Sequence, residues 1–376
     1  MENTSLVEAQ NDLARNPAIL HKYKQASALA NAAARFVVSQ CQPGERISRI
    51  RLDADRFVLQ EARKADPAAG TLDCGLAIPT VVCRNNVVCN WAPLPEASTS
   101  PDSDTIQLGD LLKVEVGCHV DGYICIAGCT LVAGHCGPAG GQMPITGRMA
   151  DVLVAAHCIE RAIEALLAPG TDCIPNIYKA VNRICRMYSC CPVAGIDSVQ
   201  VKRFVLDGET TIPAVLDAAF PRTKQHTVST GDVFCINVCI STGTGQLTRA
   251  AETNTIYNRD VSRKPSVLKL DASRQLIGEI DAAFGVFPFC TGMLQDGKAL
   301  KFGLKECIDA GLLRLSPPLQ ERTGEFVAQV RFTVAVGEAG NNVRLSERFE
   351  PPYARSSFVF QDDELAQLMA NKARHL

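Results

Sequence analysis

No stretch of this 376-residue chain is apolar for long enough to cross a bilayer, where a helix needs about 20 residues. Met1–Gln10 is polar and carries acids, unlike a secretory leader, so a chain that is neither exported nor membrane-bound is expected. Net charge is close to absent at −2, with 38 Lys+Arg against 40 Asp+Glu, so any surface that binds a polyanion must be local. Histidine is scarce: His21, His119, His135, His157, His226 and His375 are all there are. No serine stands in a Gly-x-Ser-x-Gly setting, and no histidine stands beside a marked nucleophile, so triad hydrolysis has no visible support. Cys-x-x-Cys is missing altogether. Ser241-Thr-Gly243-Thr-Gly245 lacks both the lysine of a P-loop and the third glycine of a dinucleotide fingerprint, and reads as a turn between strands.

Apolar residues and cysteine are plentiful. Hydrophobic residues make up 47% and charged residues 21%, the mixture of a folded globular chain. The cysteine count of 17 is high and odd, but the chain is long and shows no export signal, so reduced, buried thiols are expected rather than a disulfide framework. A structural zinc site is the alternative, with Cys185/Cys190/Cys191, Cys125/Cys129 and Cys235/Cys239 as the close groups and His119 and His135 flanking the second.

The elements repeat. Residues 1–17 read as a loose arm. An Ala-rich helix over 18–40 stops at Pro43-Gly44, and a second helix runs from Arg46 to about Lys64. Strands are predicted at 75–83, 86–90, 111–117 and 123–132, the last two joined by an Asp121-Gly122 hairpin, with an exposed loop over 94–104. Helices over 146–167 and 174–188 follow, with Pro169-Gly170 between them, and then strands at 199–206 and 233–240. The two Pro-Gly steps lie 126 residues apart and the two Gly-Asp steps, at 109–110 and 231–232, lie 122 apart, which suggests two similar α+β halves. Residues 259–322 break the pattern as an inserted helical subdomain, with helices over 271–284 and 300–313. Strands resume at 325–336 and a helix runs over 362–372 within a terminal segment 362–376. The core is therefore expected in two pieces, 18–258 and 323–361.

Several motifs occur in a fixed order along nearly the whole chain: Gly75-Leu-Ala-Ile-Pro-Thr80 with Asn85-Asn86, Gly109-Asp110 through Gly122, Thr146-Gly147-Arg148-x-Ala150-Asp151, Asp207-Gly208-Glu209-Thr210, Thr255-Ile-Tyr257-x-Arg259-Asp260 and Gly324-Glu325-Phe326-Val-Ala328-Gln329. Together they resemble the proliferation-associated, ErbB-receptor-binding proteins, relatives of the type 2 methionine aminopeptidases. The resemblance implies an α+β pita-bread (creatinase/aminopeptidase) fold. It also implies association with the ribosome or structured RNA, protein partners, roles in growth and translation, and residence in cytoplasm and nucleus. A monomer without cofactors and without membrane contact is expected.

Active aminopeptidases of this fold hold two divalent cations with carboxylates and a histidine, and two further histidines assist. Carried over motif by motif, the metal positions become Glu115, Ile126, Ile196, Asn237 and Arg331, and the assisting positions become Asn90 and Phe204. One carboxylate remains, two positions offer no lone pair, and one carries a permanent cation. An inactive enzyme is therefore expected, with Arg331 paired to Glu115 in place of metal. Three alternatives are that Arg331 swings to solvent, that an altered metal centre still works as a peptidase, or that the old cleft holds a peptide without cutting it. For RNA, the cations of the insert are the candidates: Arg259, Arg263, Lys264, Lys269 and Arg274, then Lys298, Lys301 and Lys305.

Overall fold

A computed structural model describes residues 16–65, 70–95, 104–135, 144–215, 227–295, 297–350 and 352–373. Most of the expected arm and loop, together with His226 and His375, lie outside the described residues.

The first half is built on a helix that caps itself. Asn16 Oδ1 accepts the Ala18 N–H at 3.0 Å, and Pro17 opens α1 (Pro17–Gln40), where a missing donor costs nothing. Ala26, Ala30, Ala33 and Ala34 are fully buried, so α1 lies close against the sheet. That sheet has the order β1–β2–β3, all antiparallel: β1 (Cys74–Arg84), β2 (Leu111–Val120) and β3 (Tyr123–Val132). Asp121 and Gly122 join β2 to β3 with φ of 50° and 77°, the backbone that a two-residue hairpin of matching twist requires. Lys22 and Arg203 both reach the Asp121 carboxylate and pin the hairpin tip. A second helix, α2 (Ile47–Ala65), packs on β1. Its fully buried Arg51 and Asp55 face each other at 3.5 Å.

The second half repeats the plan. Helices α3 (Arg148–Leu166) and α4 (Cys173–Met187) cover a six-stranded sheet. Its main strands are β4 (Ser198–Val201), β5 (Val233–Ser241) and β7 (Val327–Ala335), with β5 central and antiparallel to β7 over nine residues. The expected strand over 199–206 is cut short at Val201. Lys202 and Val205 exchange backbone hydrogen bonds at 2.9 Å, and Phe204 takes φ 58°, so the chain reverses there.

The two sheets meet along β3 and β7, where hydroxyl groups replace a backbone ladder. Thr333 Oγ1 accepts the Ile126 N–H and donates to the Ile126 carbonyl, both at 2.8 Å. Thr130 Oγ1 does the same to Gln329, at 2.8 and 2.9 Å. Each strand clasps a peptide of the other, and Gly128 and Arg331 lie midway between the clasps. A Cβ at Gly128 would stand 2.8 Å from Cβ and Cγ of Arg331 and 2.6 Å from the Val114 carbonyl, so only glycine fits.

The insert has its own small core. Tyr257, Leu276, Ile280, Phe289, Cys307 and Leu313 belong to it, so it takes in β6 (Ile256–Arg259), one strand earlier than the sequence boundary. Helices α5 (Asp271–Ala283) and α6 (Gly297–Asp309) cross at Gly303, where a Cβ would meet the Ala272 backbone at 2.8 Å. The expected helix over 300–313 begins and ends earlier. Gly311 leaves it in the left-handed region, and Leu313–Leu315 pairs with β6. The terminal helix α7 (Asp363–Ala373) buries Leu365 and packs Met369 against the second core.

Thr333→Val removes one clasp at constant shape and leaves the Ile126 N–H and C=O buried without partners. A loss of about 2–4 kcal/mol is expected in urea unfolding, with the slope unchanged.

Candidate functional site

Glu115 lies on the central strand β2, between Val81 of β1 and Gly128 of β3. Arg331 projects from β7 past Gly128, and its Nε lies 3.1 Å from Glu115 Oε2, with only 11% and 9% of the two side chains exposed. The N–H is turned off the line to the oxygen, so the contact is an ion pair rather than a hydrogen bond. The pairing expected from sequence is therefore present, and Arg331 does not swing to solvent.

Asn237 stands directly across from Arg331 in the β5–β7 ladder, and its Oδ1 accepts from Gln329 Nε2 at 2.8 Å. Ile126 is buried at the seam, opposite Gly117. Ile196 sits in a separate apolar cluster with Val88, Val193, Cys239 and Val327. Asn90 has φ 60° and donates to the Pro317 carbonyl at 3.2 Å. Phe204 is 37% exposed and belongs to a ring cluster at the hairpin tip, 5.9 Å from Phe287 and 6.3 Å from His119. Glu115, Arg331 and Asn237 thus come together, Ile126 and Ile196 pack into two different apolar clusters, and Asn90 and Phe204 are engaged elsewhere.

The donor set left at these positions does not fit two divalent cations. It comprises one carboxylate already paired to a guanidinium, an amide already bonded, and two isoleucines. Among the described residues no group of three His, Cys, Asp or Glu is arranged to hold a metal ion.

Several features of the centre escaped the sequence reading. Cys83, Cys89, Cys235 and Cys239 all lie in the field of Glu115. Residues 235, 237 and 239 share one face of β5, a two-residue alternation that could have shown the thiols beside Asn237. Burial pushes the Cys83 thiol up to about 12 and the Lys113 ammonium down to about 8. Lys113 Nζ donates to the Asn85 carbonyl at 2.9 Å. His119 is buried rather than in an open turn, stacked 4.3 Å from the Phe287 ring, and burial pushes it down to about 4. The Gly-rich stretch 241–245 wraps an internal anion: Glu321, fully buried, accepts the Gly245 N–H at 2.6 Å and the Ser241 hydroxyl at 3.2 Å.

The cations of the insert divide in two. Arg259 is buried, with Nε 2.8 Å from Oδ1 of the partly exposed Asp281, so its own guanidinium is withdrawn from solvent. Arg263, Lys264, Lys269, Arg274, Lys298, Lys301 and Lys305 are exposed. Arg274 also donates to the Leu268 carbonyl at 2.7 Å, and Arg263 faces Asp260 at 3.9 Å. Phe302, which composition did not mark, is 62% exposed among them.

Two similar α+β halves, a carboxylate at the centre of the first sheet and a covering helix pair on each half define a class. Residues 21–252 match the model of metallopeptidase family M24, to which the chain belongs together with the pita-bread fold of that family. Within it, the chain is a member of the proliferation-associated, ErbB-3-binding group. It is 32% identical over 356 residues to proliferation-associated protein A of Dictyostelium discoideum, covering 95% of this chain and 89% of that protein. It is 32% identical to ErbB-3 binding protein 1 of Solanum tuberosum, over 91% and 84% of the two chains. A solved thermophilic Arx1 superposes with a TM-score of 0.82 at 22% identity, over 94% of this chain and 98% of that one.

Arg331→Met leaves the Glu115 carboxylate buried and unpaired, and a loss of about 3–5 kcal/mol is expected. Adding Glu115→Gln recovers most of it, which a double-mutant cycle by urea unfolding measures. A second expectation concerns pH. The folded His119 binds its proton more weakly than the unfolded one, so its contribution is complete above about 6.5 and is lost as pH falls toward 4. The wild type should lose roughly 3 kcal/mol more than His119→Phe between pH 7 and pH 4.

Proposed function

We propose that this protein is a catalytically inactive member of its family that works by binding, with structured RNA or the ribosome as the main partner and translation or growth control as the role. The observation that carries the reading is the Arg331–Glu115 pair. A guanidinium within 3.1 Å of the only carboxylate among the carried-over metal positions repels divalent ions and removes the ligand they would need. The apolar cluster around Ile196 supports a filled cleft over one that holds a peptide.

For the RNA side, the support is the set of exposed cations that the insert carries, Arg263, Lys264, Lys269, Arg274, Lys298, Lys301 and Lys305, with Arg263 and Arg274 each facing an aspartate. Clustered cations gain affinity for phosphate by releasing counterions even when the whole chain is near neutral. Protein partners are the second part of the reading, supported by the ErbB-3-binding name of the potato relative. Residence in the cytoplasm with access to the nucleus and a monomeric state complete it. No described helix is long and apolar enough to cross a membrane.

Two experiments test the proposal. Protein supplied with cobalt or manganese is assayed on a Met-Ala-Ser peptide beside total metal analysis. No turnover and no stoichiometric metal are expected, whereas cleavage abolished by a chelator would establish the altered-centre peptidase. The double variant Arg263→Glu/Lys264→Glu should lose most ribosome co-sedimentation at moderate salt; unchanged sedimentation removes this surface from the proposal.

A further inference from the structure

We propose that Phe302 is a stacking platform for an unpaired base, so that the RNA recognised by the insert is a loop, bulge or single strand rather than a continuous duplex. The inference rests on the RNA-binding reading above and adds the class of RNA.

The placement of the ring argues for it. Helix α6 turns Ala299, Gly303 and Cys307 inward, and Gly303 seats it against α5. The same 3.6-residue period puts Lys298, Lys301, Phe302 and Lys305 together on the outer face, within about a third of the helix circumference. Phe302 keeps 62% of its surface in water, although a phenylalanine gains about 1.5–3 kcal/mol by burial. Lys301 Nζ stands 5.8 Å from the ring centroid. Asp309, exposed one turn after Lys305, shares this face, so three lysines stand against one carboxylate there, and the Glu306 carboxylate is drawn to the α5 side. Glu306 accepts the backbone N–H groups of Lys269 and Leu270, at 2.8 and 3.1 Å, and closes the approach to α5. This lysine-bearing face therefore carries a largely exposed aromatic ring, and Leu270 at 48% and Val267 at 59% exposure add apolar surface to the insert.

That combination selects its occupant by charge and shape. Protein interfaces deplete lysine at their cores, and here lysines surround the ring. A polyanion meets the lysines with phosphates. A duplex keeps its bases stacked on each other and cannot offer one to a ring, whereas a splayed base can lie on it.

The test uses the full chain with an RNA stem-loop and with the same stem closed as a blunt duplex, followed by fluorescence anisotropy across a salt series. Phe302→Ala should weaken stem-loop binding about tenfold, leave duplex binding and the salt slope unchanged, and be rescued by Phe302→Trp. Lys301→Gln/Lys305→Gln should weaken both RNAs and lower the salt slope by about 2. If Phe302→Ala binds the stem-loop like wild type while the lysine variant fails, stacking is overturned and the surface stands. If neither variant loses affinity, the surface itself falls. If Phe302→Ala instead loses binding to phosphatidylserine vesicles with RNA binding intact, the ring serves a lipid surface and the proposal is overturned. An unchanged melting temperature is expected for Phe302→Ala, since the ring is already largely in water.

Discussion

The contact between Arg331 and Glu115 sits where the two halves of the molecule meet, and much of the surrounding structure makes sense only around it. A cation buried at a seam needs an anion, a route to reach it and walls that exclude competing solvent. Glu115 supplies the anion, Gly128 the route, and the buried β-strands on either side the walls. The threonine clasps at Ile126 and Gln329 fix the two strands at equal distances on either side of the pair, so neither sheet can slide without breaking hydroxyl bonds to buried peptides. An ion pair of this kind adds little stability over a well-packed apolar replacement. Its effect is to make each partner indispensable once the other is present.

The insert obeys a different logic. It is held by its own apolar core and by one glycine that lets two helices cross closely, so its outer face is free to vary without disturbing the seam. Arg259 is buried against Asp281 and the Asp260 and Arg263 carbonyls, and its lysines face out. Several polar links tie this unit to the first half: Arg51, itself held by the Pro93 carbonyl, donates to the Cys290 sulfur at 2.9 Å, and Asn90 and Asn86 donate to the Pro317 and Glu321 carbonyls.

Much of this was legible in the sequence, for identifiable reasons. The long helices and the 121–122 hairpin carry strong local signals: an Ala-rich period, Asp-Gly with positive φ, and apolar alternation. The Arg331–Glu115 pair could be anticipated because motifs fixed both positions and charge did the rest. Three features could not be read. The burial of His119 depends on Phe287, which arrives from the insert far along the chain. The true length of the strand after Ser198 depends on a tight reversal at Lys202–Val205. Arg259 looks like any other member of a cationic run until tertiary folding brings Asp281 against it.

The Arg331–Glu115 pair also has a consequence for redesign. Building a metal site on this scaffold would take more than exchanging Arg331 for an acid, because that step alone places two carboxylates face to face in a buried space. The isoleucines at 126 and 196 are packed into separate apolar clusters, so each would have to be replaced at a packing cost before any ion repaid it. On the proposed reading, a centre closed by a guanidinium and apolar packing works as a ratchet: its outer surfaces are free to diversify, while a step toward holding ions begins by unsettling a buried pair.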